Sequence, residues 1–167
     1  ARGIFPEIFT IKIFVDSTHQ MMGERTFQSG SDYLYARQFI EKIRGILEEE
    51  GQTYQMCISE WSNSLSNRNI VQDSCARGTY IIKFILSIWK TADMIGFWHG
   101  SDAVDIFYDS RKLIYGGGGL LTKDGIKKPS FYAFEFLNKL GGHVLKIGNN
   151  YIVTRDSTQR IVCLCFN

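Results

Sequence analysis

Gln55-Met56-Cys57-Ile58-Ser59-Glu60-Trp61-Ser62-Asn63-Ser64 opens as an apolar, strand-like run and closes in a polar cluster, with one carboxylate at the changeover. Burying an unpaired carboxylate is costly, so Glu60 reads as paired, solvated in a cleft, or functional. The plainer alternative is a surface Glu at a strand-to-loop junction. The flanking segments bear on the choice through the fold they imply.

Upstream, Ile8 to Val15 is rich in β-branched and aromatic residues and reads as a buried strand. Asp16 to Asp32 is a polar loop holding Gly23 and Gly30. Ser31 or Asp32 suits the cap of a helix from Tyr33 to about Glu50, with Phe39, Ile40, Ile43, Ile46 and Leu47 at helical spacing. Gly51 suits its left-handed stop. Downstream, a polar loop precedes a long helix from Val71 to about Thr91. Met94 to Trp98 is a short strand that delivers Trp98-His99-Gly100-Ser101-Asp102 to its end. Gly116-Gly117-Gly118-Gly119-Leu120-Leu121 reads as another strand end, and Pro129 opens a helix that runs to Leu140.

Alternation of this kind predicts an α/β fold, a parallel sheet with helices outside it. The strands are expected near residues 8–15, 54–59, 94–98 and 117–121. Four such units make the second half of a TIM (β/α)8 barrel, where chemistry sits on the loops after the strands. Glu60, Trp98, His99 and Asp102 all fall there. Beyond Gly141-Gly142, residues 143–146, 151–155 and 161–166 read as successive antiparallel strands joined by turns. The expected division is therefore 1–141 and 142–167.

Composition narrows the function. The chain has 167 residues, 44% of them hydrophobic and 22% charged, as in an ordinary globular domain. Net charge is +2 with no basic block, so nucleic acid would be met only through another domain. The run Ile81 to Leu86 is broken by Lys83 and is too short to cross a bilayer, so no membrane is expected as a partner. Four cysteines, Cys57, Cys75, Cys163 and Cys165, form no Cys-x-x-Cys pair. Three of them lie among apolar neighbours and read as small buried hydrophobes, favouring a reduced, cytoplasmic setting. His19, His99 and His143 lack metal-ligand spacing. The four-glycine run lacks the lysine of a phosphate loop, so no cofactor is expected. The opening Ala1-Arg2-Gly3 has neither an initiator Met nor a signal-peptide pattern and reads as part of something longer.

A retaining glycosidase needs two carboxylates about 5–5.5 Å apart. Glu60 suits one of them. Asp16, Asp102 and Asp105 are the other acids at strand ends, and each is also explained as a loop residue or cap. Trp61 and Trp98 are a possible sugar-stacking platform or simply core, and His99 follows Trp98 directly.

With Glu60 at a strand end, the sequence resembles glycoside hydrolase family 39, the β-xylosidase family, over nearly its whole length. Ile58-Ser59-Glu60-Trp61-Ser62-Asn63-Ser64 resembles the segment around that family's nucleophile, and Asp73-Ser74 the start of the following helix. Phe97-Trp98-His99-Gly100-Ser101-Asp102 is similar to its aromatic-Trp-x-x-Ser-Asp segment. The glycine run and Lys128-Pro129-Ser130-Phe131-Tyr132-Ala133-Phe134 resemble its last strand and helix, and Tyr151 to Arg155 the start of its accessory antiparallel β-sandwich. The resemblance implies Glu60 as catalytic nucleophile. It also implies Trp61, Trp98, His99 and Asp102 as substrate-binding residues for a xylose-type sugar or xylo-oligosaccharide. The family's acid/base follows an Asn, and no Asn-Glu pair occurs here, which implies a missing N-terminal half barrel. That half, or a second copy of the chain, is the expected packing partner. Ile13 and Val15 stand where the family usually has His and Tyr, and Gly118 where an aromatic is usual. Related domains also end AraC-type transcription regulators, so a sugar-sensing domain is the alternative.

Overall fold

The computed structural model describes residues 7–14, 32–51, 53–64, 68–104 and 110–167, and the backbone of 19–22 and 25–28. Its first sheet joins β1 (Ile8–Phe14), β4 (Gln55–Ser62) and β5 (Met94–Phe97) in that order, all parallel. Phe9, Ile11 and Ile13 stand opposite Met56, Ile58 and Trp61, so these six side chains share one face. That face carries the core. Met56, Ile58 and Trp61 are essentially inaccessible there, and α1 (Tyr35–Glu49) and α2 (Cys75–Ile88) contribute Ala36, Ile40, Ile81, Phe84 and Ile88 to the same cluster.

The expected helix at residues 33–50 is present. Asp32 holds its entry through Leu34 N–H to Oδ1 at 2.9 Å, and Gly51 leaves it at φ +68°. Of the anticipated apolar stripe, Ile40 is buried, whereas Phe39 and Ile46 are exposed. The expected helix at 71–91 is two pieces. A 3-10 turn, Ile70–Asp73, is capped by Asn69, whose side chain accepts from Val71 N–H at 3.1 Å, and Ser74 is extended before α2 begins. The break turns Asp73 inward, where its carboxylate accepts from Gly116 N–H at 2.6 Å. Within the loop expected at 16–32, β2 (His19–Met22) and β3 (Arg25–Gln28) pair antiparallel as a hairpin.

The fourth parallel strand, expected at 117–121, does not form. Among the described residues Leu121 makes isolated bridges to Ser101 and Lys127, and Gly116 to Gly119 run as a buried loop. Four residues without side chains have nothing to pack on a pleated surface. Their backbone instead lies against Asp102: a Cβ on Gly117 would stand 2.4 Å from its carboxyl carbon. Pro129 is the first residue of α3 (Pro129–Asn138), as expected.

The last three strands, β6 (His143–Gly148), β7 (Tyr151–Arg155) and β8 (Ile161–Cys165), form a separate antiparallel sheet with β7 central. Gly141 N–H donates to Thr154 Oγ1 at 2.8 Å, tying the end of α3 to β7. Among the described residues no helix is long and apolar enough to cross a membrane.

Candidate functional site

Strand alternation by itself would put Glu60 on the core face, two residues after the buried Ile58. It does not stand there. The register of β1 with β4 slips between Ile11–Ile58 and Lys12–Glu60, leaving Ser59 as an extra residue. This bulge turns Glu60 onto the open face and returns Trp61 to the core. Gly96 on β5 makes the room for it, since a Cβ there would lie 2.5 Å from the Ser59 carbonyl oxygen. Gly96→Ala therefore forces the bulge to shift. We expect it to cost about 1–3 kcal/mol, read as a lowered urea midpoint with an unchanged slope.

On the open face, Glu60 Oε1 lies 2.6 Å from Lys12 Nζ, with Lys12 61% and Glu60 28% exposed. Glu60 is thus both paired and accessible, and a pair this open contributes only about 0–1 kcal/mol to stability.

Beside it, Trp98 N–H donates to the Trp61 carbonyl at 2.8 Å, so the chain leaves β5 next to the end of β4. The Trp98–His99 peptide is cis. Trp98 is exposed, with its ring 5.5 Å from that of His99. His99 Nδ1 lies 2.9 Å from the Ser101 carbonyl, which can only accept, so Nδ1 carries the proton. Gly118 floors this ring: a Cβ there would approach Nε2 to 2.9 Å. An aromatic at 118 would occupy the space that His99 fills.

Beneath the rim lies a buried set of two carboxylates and two cations. Lys128 Nζ stands 2.5 Å from Asp73 Oδ1 and 3.2 Å from Asp102 Oδ2, and donates to the Gly117 carbonyl at 2.7 Å. Asp102 Oδ1 accepts from Gly119 N–H at 2.7 Å. Arg77, wholly buried, donates to the Gly118 carbonyl at 2.7 Å and to Asn63 Oδ1 at 3.1 Å, and its guanidinium lies 5.1 Å from the centre of the Phe97 ring. Burial pushes its pKa down to about 9, against the upward pull of Asp102 and Asp73. It remains charged at neutral pH. These contacts clamp the glycine loop from below and so fix the floor under His99.

The five expected site residues therefore part company. Glu60, Trp98 and His99 are accessible at the strand ends. Trp61 is 1% exposed, its ring 4.1 Å from Phe84 and 5.0 Å from Phe97, and it belongs to the core. The bulge is the cause, since it gives Glu60 the open face and its neighbour the other. Asp102 is 4% exposed and turned to Lys128, so it holds the loop and does not face the open side. Asp16 and Asp105 lie outside the described residues. Lys12 was legible as a charge inside the apolar strand Ile11-Lys12-Ile13, but its partner was not. Arg77, Lys128 and Gly96 carried no local signal.

The cysteines also differ from expectation. Cys75, at the start of α2, is exposed, Cys57 is half-buried, and Cys163 and Cys165 share the exposed face of β8. Among the described residues no three His, Cys, Asp or Glu side chains are grouped to hold a metal ion. A groove of about 880 Å3 lies elsewhere, between α2, α3 and β8, and does not include Glu60.

The sequence profile of glycosyl hydrolases family 39 matches residues 11–164. The chain is 32% identical over 110 residues to a beta-xylosidase of Geobacillus stearothermophilus, covering 66% of this chain and 22% of that protein. It is 30% identical over 138 residues to a beta-xylosidase of Caldicellulosiruptor saccharolyticus, covering 78% and 28%. Its fold is similar to that of a monomeric beta-xylosidase from Caulobacter crescentus CB15, with TM-score 0.76 and 22% identity over 90% of this chain and 31% of the other. It is also similar to a GH39 enzyme from Xanthomonas axonopodis pv. citri, with TM-score 0.78 and 20% identity over 95% and 32%. At these identities the two structures show likeness of fold alone. The chain spans less than a third of the length of each of these relatives.

Proposed function

The chain belongs to glycosyl hydrolase family 39, and from that premise we propose that it forms part of a retaining, β-xylosidase-like enzyme with Glu60 as nucleophile. The carrying observation is the Ser59 bulge, which takes a carboxylate from the core face to the open face at the end of a parallel strand. In this reading β1, β4 and β5 are an arc of a (β/α)8 barrel within residues 1–141, three strands in place of four. Residues 142–167 begin an antiparallel sandwich. The open face packs on the remaining strands of the barrel, supplied by other parts of the protein, which also provide the general acid/base.

A xylose-type sugar would sit against Trp98 and His99. Glu60 would attack its anomeric carbon as the leaving oxygen is protonated, and water would then release the sugar. Lys12 holds the carboxylate in place between turnovers. Trp61 and Asp102 support the site from behind. No cofactor enters this chemistry.

The test is trapping in the full-length protein with 2-deoxy-2-fluoro-xylosyl fluoride, which slows release of the glycosyl-enzyme. We expect one covalent sugar, on the peptide carrying Glu60. An adduct on a different carboxylate would remove Glu60 from the mechanism. Binding of xylose without hydrolysis or adduct would favour the sugar-sensing domain of an AraC-type regulator instead. Lys12→Met is expected to move the melting temperature by no more than about 4 °C, because the pair is exposed. A larger drop in thermal denaturation would make the pair a structural one.

A further inference from the structure

Cys163 and Cys165 lie two residues apart on β8, which among the described residues is an edge strand paired with β7. Alternation puts both side chains on one face, and both are exposed with Sγ atoms 3.8 Å apart. Two residues of strand separate their Cα atoms by about 6.6–6.8 Å, at the far end of what a disulfide spans. Joining the sulfurs directly would require them to halve their separation. A single soft atom placed between them requires little movement. Both residues line the groove between α2, α3 and β8, together with Cys75, Tyr132 and Phe136.

We propose that Cys163 and Cys165 form a dithiol site that chelates a soft, thiophilic centre such as a trivalent arsenical. Soft thiolate ligands select soft centres, and these two sulfurs lie 3.8 Å apart, with no group of three His, Cys, Asp or Glu side chains among the described residues placed to hold a metal ion. The hydrogen bond with Cys165 raises the pKa of Cys163 above the ordinary thiol value. Condensation with an arsenical oxide consumes thiols directly. Two S–H bonds and one As–O unit become two As–S bonds and one water, and no electron changes hands. The site stands apart from Glu60 and does not depend on the hydrolase reading.

The probe is phenylarsine oxide, applied to the full-length protein and followed by intact and peptide mass spectrometry. We expect one phenylarsenic group per chain on the peptide carrying both Cys163 and Cys165. It should be displaced by 2,3-dimercaptopropanol but not by the same concentration of 2-mercaptoethanol. Cys163→Ser and Cys165→Ser should each abolish the adduct, while Cys75→Ser keeps it. Both positions are exposed, and circular dichroism checks that each variant remains folded. Absence of an adduct on that peptide would overturn the proposal. So would its survival in either serine variant, its loss in Cys75→Ser, or equal displacement by the monothiol.

Discussion

Lys128→Met is expected to destabilise the fold by about 3–5 kcal/mol, the cost of stripping one partner from a buried ion pair. The ammonium donates to the Gly117 carbonyl at 2.7 Å and to Asp102 Oδ2 at 3.2 Å, and it stands 2.5 Å from Asp73 Oδ1. Its side chain is 3% exposed and those of Asp73 and Asp102 are 10% and 1% exposed, so water cannot replace it. Methionine fills a similar volume, so the loss measures charge and not a cavity. The two carboxylates would keep the Gly116 and Gly119 N–H groups, but the nearby Arg77 is itself desolvated enough to bring its pKa to about 9. Against a typical margin of about 5–15 kcal/mol, such a loss is a large part of the total. Urea denaturation of the full-length protein checks it. Adding Asp102→Asn should recover part of the loss by removing one unpaired charge. A change below about 1 kcal/mol would mean that the set is hydrated and does not clamp the glycine loop.

Glu60→Gln is expected to reduce turnover of an aryl xyloside by roughly 10³-fold or more while leaving stability within about 1 kcal/mol. The amide has the shape of the carboxyl group but cannot form the glycosyl ester. It also gives up the ion pair to Lys12, which is exposed and contributes little. A structural role predicts the reverse, a lowered melting temperature with activity falling only in proportion to the folded fraction. Steady-state kinetics beside calorimetry on the same preparation separate the two. Unchanged turnover in a well-folded Glu60→Gln protein would take Glu60 out of the site.

Much of the architecture was legible because its signals are local. The β-branched run Ile8 to Val15, the helical spacing of Ile40 and Ile43, Pro129 ahead of α3 and the turns of the last sheet each depend on a few consecutive residues. The glycine run misled for a related reason. Adjacent Leu120 and Leu121 resemble a strand end, but strand formation needs a ladder partner, and among the described residues Leu121 finds single bridges. The sequence by itself also determined that Glu60 stands at a strand end, with Trp98 and His99 at the end of the next. Only the tertiary structure decided which way each residue faces. A one-residue bulge inverts the alternation from Ser59 onward, and it is permitted by Gly96, which lies on a different strand. Likewise the roles of Asp73, Arg77, Asp102 and Lys128 follow from charges brought together across the chain, Lys128 meeting Asp102 over 26 residues and Asp73 over 55. A buried charge is stable only where its partner arrives, and no local pattern records that meeting.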